Sequence, residues 1–166
     1  MDKLEYIQGD LVMTNGVPIG TDKDVVYRVT SSDPSKTLEL NDGTVLKGVV
    51  RLENIEGAEL GDKGYLFGDC CAWVKDIVHI PLTPEILKKN GWKQNGGQYS
   101  FTYKPYAGDK VELIGFFIEM FKDVHDMLKH RYFQITHEDK VICGCFYVHQ
   151  LQHHLFGLGI NHKMEV

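Results

Sequence analysis

No run of apolar residues in this chain approaches the roughly 20 needed to cross a bilayer as a helix. Met1-Asp2-Lys3 leads straight into Leu4-Glu5, without the apolar stretch of a secretory signal. The expected location is therefore the cytoplasm, with no membrane partner. Positive charge is scarce as well: 18 Lys and Arg stand against 23 Asp and Glu, a net charge of −5. That balance excludes binding that relies on general neutralisation of nucleic-acid phosphates. Lys88, Lys89 and Lys93 leave room for a small local basic patch only. Cysteine is limited to Cys70-Cys71 and Cys143-x-Cys145. Neither has the C-x-x-C spacing of zinc ribbons and redox motifs, and adjacent cysteines seldom bridge because the geometry is strained. Free, mostly buried thiols are expected. A thiol inside a strand of apolar neighbours is ordinarily inert, so Cys143 or Cys145 beside a histidine is not expected to act as a nucleophile. Phosphate-binding G-x-x-x-x-G-K-[ST], G-x-G-x-x-G opening a helix and the G-x-S-x-G elbow are all missing. No cofactor is expected.

What is present is enough apolar material, 43% of 166 residues, to bury a core without staples, in one domain or two small ones. The pattern divides at residue 80. Residues 1–80 read as β: Leu11-Val12-Met13 leads into an Asn15-Gly16 turn, Val25 to Val29 is rich in β-branched residues, and Ser31 to Ser35 is a loop by composition. Leu38 and Leu40 alternate with polar residues up to the Asn41-Asp42-Gly43 turn, after which Val45 to Leu52, Gly64 to Phe67 and Ala72 to Ile80 read as strands. Five or six short strands at this spacing suggest a small SH3-like barrel or rolled sheet. Tyr27, Tyr65, Phe67 and Trp73 would either line a groove on it or fill its core.

Residues 81–166 read as an antiparallel sheet with a short helix and a C-terminal amphipathic helix, so the chain as a whole is α+β and β-rich. In LTPEILKKNGW, Thr83 is an N-cap, Pro84 takes the first helical position, Glu85 suits the positive end of the dipole, Lys88 and Lys89 the negative end, and Gly91 the left-handed stop. Ile86 stands where a capping box would need Glu or Gln. Trp92 follows as a hydrophobic anchor. Asn95-Gly96-Gly97 turns the chain into Tyr99, Phe101 and Tyr103, three aromatics on one face of a strand. Covered by a helix that face is core; left open it is a stacking platform for a base or a partner's side chain. Val111 to Phe121 fits either period, with a strand to about Glu119 favoured, and Tyr132 to Ile135, a His137-Glu138-Asp139 turn and Val141 to Cys145 complete the sheet. In FYVHQLQHHLFGLG, Tyr147, Val148, Leu151, Leu155 and Leu158 share an arc of about 100°, the width of a core-facing stripe. His149 and His153, four residues apart, are expected opposite that stripe, pointing away from the core with Phe146 and Phe156 beside them.

PLTPEILKKNGW and FYVHQLQHHLF together resemble a pattern in small uncharacterised proteins of Bacteroides-group gut bacteria and their phages and mobile elements. The matching residues are Pro84, Gly91 and Trp92 in the first motif and Tyr147, Val148, His149, Leu151 and Gln152 in the second. The resemblance covers roughly residues 80 to 166. This chain departs from it at His153-His154 and in a longer insertion around 104 to 130. It implies origin rather than mechanism: a phage or mobile-element protein, for which countering a host defence is a reasonable class of role.

His149-Gln150-Leu151-Gln152-His153 has the i, i+4 histidines of the zincin motif, but Gln150 occupies the place of the glutamate that takes a proton from metal-bound water. An amide cannot do that, so even a helix that bound a metal could not run the metalloprotease mechanism unless a carboxylate came from elsewhere, and exposed or hydrogen-bonded histidines are expected in place of a metal site. Carboxylate pairs such as Asp22/Asp24, Asp109/Glu112 and Glu138/Asp139 sit in turn-like, solvated stretches. The preferred function is thus a non-enzymatic binding module presenting His149, His153, Phe156, Trp92, Tyr99, Phe101 and Tyr103 to a host protein or a small nucleotide-like ligand. Self-association into a homo-oligomer is compatible with the same features. The alternatives are a metal-dependent hydrolase using His149, His153 and one of His125, His130 or His137, and a structural protein of a virion.

Overall fold

The computed structural model describes residues 5–16, 25–55, 70–105, 108–120 and 130–166, with the side chains of Met120 and His130 outside the description. The chain divides into two compact units, Met1–Ile80 and Pro81–Val166. Among the described residues each carries one five-stranded antiparallel sheet, and both α-helices lie in the second. The protein is therefore α+β and rich in strand. None of the described helices is long and apolar enough to cross a membrane.

In the first unit the strands are β1 (Leu11–Thr14), β2 (Tyr27–Glu39), β3 (Val45–Asn54), β4 (Cys70–Trp73) and β5 (Ile77–Val78), in the spatial order β4-β3-β2-β1-β5. Only a single 3-10 turn, Val74–Asp76, separates β4 from β5, although they occupy opposite edges. In a flat sheet those edges would lie about 19 Å apart, whereas the four steps from Trp73 to Ile77 span at most about 14 Å. The sheet must therefore be rolled, and Tyr6, Val12, Tyr27, Val29, Val50, Leu52, Cys70, Ala72 and Ile77 fill the inside of the roll. No ladder joins β4 to β5 among the described residues, so the expected barrel is not closed by hydrogen bonds there. Tyr27 is core, not groove.

Ser31 to Ser35, expected as a loop, instead continues β2. The composition signal is real, because the β2–β3 register slips between Asp33 and Thr37, where Pro34 cannot donate to the ladder and Asp33 accepts from the Ser35 amide and hydroxyl. The Asn41-Asp42-Gly43 turn forms as expected, with Gly43 at φ +81° and Asp42 accepting from the Thr44 amide. The strand expected at Gly64 to Phe67 lies outside the described residues.

The second unit is a meander, β6 (Lys93–Asn95), β7 (Gln98–Tyr103), β8 (Val111–Met120), β9 (His130–His137) and β10 (Lys140–Cys145), each strand hydrogen-bonded to the next. It is preceded by α1 (Pro84–Lys89) and followed by α2 (Val148–Gly157). The Thr83 hydroxyl accepts from the Ile86 amide, Pro84 opens the helix and Gly91 sits at φ +85°, as the sequence demands. The ambiguous Val111 segment is a strand. Glu138 and Asp139 both take positive φ, which lets two residues close the β9–β10 hairpin.

Trp92 and Tyr99 are buried, and Trp92 packs on Phe101 and on Phe133 at ring-centroid distances of 5.3 and 5.2 Å. The aromatic face of β7 is therefore core rather than an open platform, and the expectation of a ligand-stacking surface there is corrected. Tyr99 faces Gly115 and Phe101 faces Leu113 across the β7–β8 ladder, so these aromatics share the buried face of the sheet with Leu113, Phe133 and Ile135. Ahead of the helices, Pro81 bridges Tyr147, and the Leu82 amide donates to the Phe146 carbonyl at 3.0 Å. The entries of α1 and α2 thus lie side by side.

Candidate functional site

The β10 strand reads Lys-Val-Ile-Cys-Gly-Cys, and a strictly alternating strand would place Val141, Cys143 and Cys145 on one face. The pairing breaks that alternation: Val141 faces Thr136 while Cys143 faces Ile135, so Ile142 is an extra residue, a β-bulge. Beyond the bulge, Cys143 and Cys145 stand opposite the fully buried Ile135 and Phe133, while Val141 is left 63% exposed. Both thiols therefore sit side by side on the inner face of an edge strand, with Gly144 between them on the outer face.

After Cys145 the chain turns into α2 and comes back over β10. The Gln150 side-chain oxygen accepts from the Phe146 amide at 2.8 Å and the Tyr147 amide at 3.3 Å, capping the start of the helix. The residue in the position of the zincin base is thus turned back to serve the backbone. Val148, Leu151 and Leu155 are buried as the stripe requires. About two turns from the cap, His154 comes down beside the two thiols, and Cys143 Sγ, Cys145 Sγ and a His154 ring nitrogen all lie within 4.8 Å of one another.

The electrostatics of this trio follow from its packing. The Cys143 thiol is held below the ordinary thiol range, first by a hydrogen bond from Cys145 and then by the hydrogen bond and charge of His154, with burial opposing. Cys145 is pushed up by the same shared bond, by burial and by the charge on Cys143. His154 is raised, chiefly by its hydrogen bond with Cys143. Cys145 is therefore the poorer acid of the two thiols, and Cys143, beside His154, is the one disposed to give up its proton. Two sulfur donors and one nitrogen donor in this arrangement suit a thiophilic ion. Tetrahedral zinc, with bonds of about 2.3 Å to sulfur and 2.0 Å to nitrogen, asks two sulfurs and one nitrogen to stand roughly 3.5–3.8 Å apart, closer than the 4.8 Å within which these three atoms lie. Among the described residues this is the one group of three such donors.

The residues expected from the sequence to form the site are not gathered in this way. His149 is only 4% exposed, so the expectation that it points away from the core is corrected. Its ring stacks on Tyr147 at 6.0 Å with planes 10° apart and meets His153 edge-on at 5.8 Å. Gln152 is also fully buried, its amide donating to the His162 carbonyl at 3.0 Å. The buried arc of α2 is thus wider than an apolar count suggests, because residues 158–164 fold back over the helix and bury Ile160 and Met164. His153 is half-buried, and Phe156 is 58% exposed with its ring edge-on to His162. Phe101 and Tyr103 are half-buried on β7. His137 lies at the end of β9, where its Nδ1 is 3.1 Å from the Glu112 carbonyl. His125 and the side chain of His130 lie outside the described residues.

The sequence carried one usable signal for the trio, a C-x-C pair nine residues ahead of a histidine on the next helix. Its significance depended on the bulge and on the return of α2, neither of which periodicity announces. No protein-family model matches the chain, and neither a curated protein nor a solved structure shows a significant match to it.

Proposed function

We propose that this chain is a non-enzymatic binding module whose second unit holds a thiophilic metal ion, of the zinc or copper(I) class, through Cys143, Cys145 and His154. The observation that carries the reading is the convergence of these three donors within 4.8 Å, on an edge strand and a helix that are both packed against the core. Soft thiolate donors favour such ions over magnesium or calcium, which take oxygen. Metal ligands must be deprotonated, and Cys143 is already disposed that way. The hydrolase alternative is weaker. His149 is stacked inside the fold, and Gln150 is committed to the helix cap, so the i, i+4 pair has no base in the place of the zincin glutamate.

The test is elemental analysis of untagged protein, purified under reducing conditions and then offered zinc. About one zinc per chain, lost in Cys143→Ser and in His154→Asn, supports the reading. Reduced protein that retains no zinc after gel filtration sinks it.

The strand order of the first unit, with a 3-10 turn carrying the chain between its two edges, supports describing it as an SH3-like barrel. Such barrels serve many purposes, so the likeness does not select a ligand. A second reading, contact with a host protein by a phage or mobile-element product, is favoured by the exposed Phe156 beside His162 on the outer side of α2. Capture of one host protein by the native chain, lost in Phe156→Ala, supports that contact, and equal capture by both overturns it.

A further inference from the structure

Cys143 and Cys145 share one face of β10 at a spacing that also permits a covalent bond. Two steps along a strand place their Cα atoms about 6.6 Å apart, near the upper end of the roughly 4.4–6.8 Å that disulfides span. Their sulfurs already lie within 4.8 Å of each other. Reach is unequal: Cys143 keeps 8% exposure at the sheet edge, while Cys145 has none. The bulge at Ile142 adds local slack to the backbone just ahead of the pair. A bond formed at the limit of reach is strained and hence easily reduced.

We propose that Cys143 and Cys145 are a reversible dithiol–disulfide pair, oxidised by hydroperoxides, and that forming the bridge expels the metal ion. The second part rests on the metal-binding reading; the first does not. In the first step Cys143 Sγ attacks the terminal oxygen of the hydroperoxide. A sulfur–oxygen bond forms, the oxygen–oxygen bond breaks, and the thiol proton passes to the departing oxygen, which leaves as water or an alcohol. In the second step the Cys145 sulfur attacks Cys143 Sγ. The sulfur–sulfur bond forms, the sulfur–oxygen bond breaks, and hydroxide leaves with the Cys145 proton as water. Two thiols are oxidised and one hydroperoxide is reduced. On the loaded protein the two thiolate ligands are consumed, two protons come from solvent, and a lone imidazole is too weak a holder to keep the ion. The buried partner resolves the first intermediate before a second equivalent of oxidant can reach it.

The experiment treats the full chain, carrying Cys71→Ser to remove the exposed competing thiol, with one equivalent of hydrogen peroxide, in metal-free and zinc-loaded samples. Intact mass and peptide mapping should show a loss of two hydrogen atoms in the fragment bearing Cys143 and Cys145, reversed by dithiothreitol. The loaded sample should release its zinc to a chromophoric chelator in step with that loss. Cys145→Ser should stop at Cys143 heavier by one oxygen. If that variant does not fold, the parent protein's mass change decides alone. Oxidation of Cys143 to sulfinic or sulfonic acid with no loss of hydrogen, a bridge between two chains, or a bridged protein that keeps its zinc would each overturn the proposal. Failure to take up zinc removes the metal reading, while the mass change in the metal-free sample still decides the disulfide.

Discussion

The tip of the Phe133 ring stands against Gly115, on the neighbouring strand of the second sheet, and a methyl group built on that glycine would clash with Phe133 Cζ and lie 2.7 Å from both Cε atoms. Phe133 is completely buried and also meets Trp92, Tyr99 and Phe117 at 5.2, 5.8 and 5.1 Å. An aromatic set against a strand glycine recovers the packing that the glycine lacks, and here it gives the unit its central contact.

Gly115→Ala should therefore destabilise the second unit by about 1–3 kcal/mol or more, as overpacking a filled core does. Phe133→Leu in the same chain should recover part of that loss, because the two changes share one space. Urea unfolding followed through Trp92 fluorescence, with Trp73→Phe to remove the other tryptophan, measures both. Additive losses would show that the ring does not set the limit.

On α2 the expected costs follow burial and not hydrophobicity alone. Leu151→Ala and Leu155→Ala should each cost roughly 2–5 kcal/mol. His149→Ala, which empties a buried stack against Tyr147, should cost on the order of 1–3 kcal/mol. Phe156→Ala, at the exposed side, should stay within about 0.5 kcal/mol. Equal effects at His149 and Phe156 in thermal melts would contradict the buried arc described for this helix.

In the first unit the Tyr6 hydroxyl lies 2.7 Å from His79 Nε2, and burial holds the His79 imidazole below its ordinary value of 6.5, with the charge of Glu5 opposing. The unfolded chain then takes up the proton more readily than the folded one. The associated stability is complete above pH 6.5 and is lost as pH falls through the lower folded value. The melting temperature of this unit should drop on acidification below pH 6.5, and the His79→Gln variant should show a flatter profile. An unchanged slope in the variant would assign the acid sensitivity to other groups.

Asn90, at the end of α1, holds the segment that follows α2. Its side-chain nitrogen donates to the Ile86 and Glu165 carbonyls at 2.8 and 2.7 Å, and its oxygen accepts from the Glu165 amide at 2.9 Å. Removing these bonds in Asn90→Ala should cost about 1–3 kcal/mol and speed hydrogen exchange at the Glu165 amide. Exchange that stays slow would place the anchorage elsewhere, for instance at the Lys89 contact with the Val166 carbonyl.

Much of this architecture is local physics and could be read in advance. The Thr83 cap with Pro84 and Gly91, the Gly43 turn, the β9–β10 hairpin and the leucine stripe of α2 each follow from what a few neighbouring residues require of the backbone. The Ser31 to Ser35 segment misled because polar, proline-bearing stretches mark loops and bulged strands alike. What only the tertiary structure decided is which side chains meet. One extra residue at Ile142 shifts the phase of β10, so both thiols face inward. The return of α2 sets His154 against them, and the folding-back of residues 158–164 buries Gln152 on a face that hydropathy assigns to solvent. Periodicity reports which face of an element is apolar. It does not report a slip in register, or which later segment will cover a polar face, because both are set by contacts between residues distant along the chain.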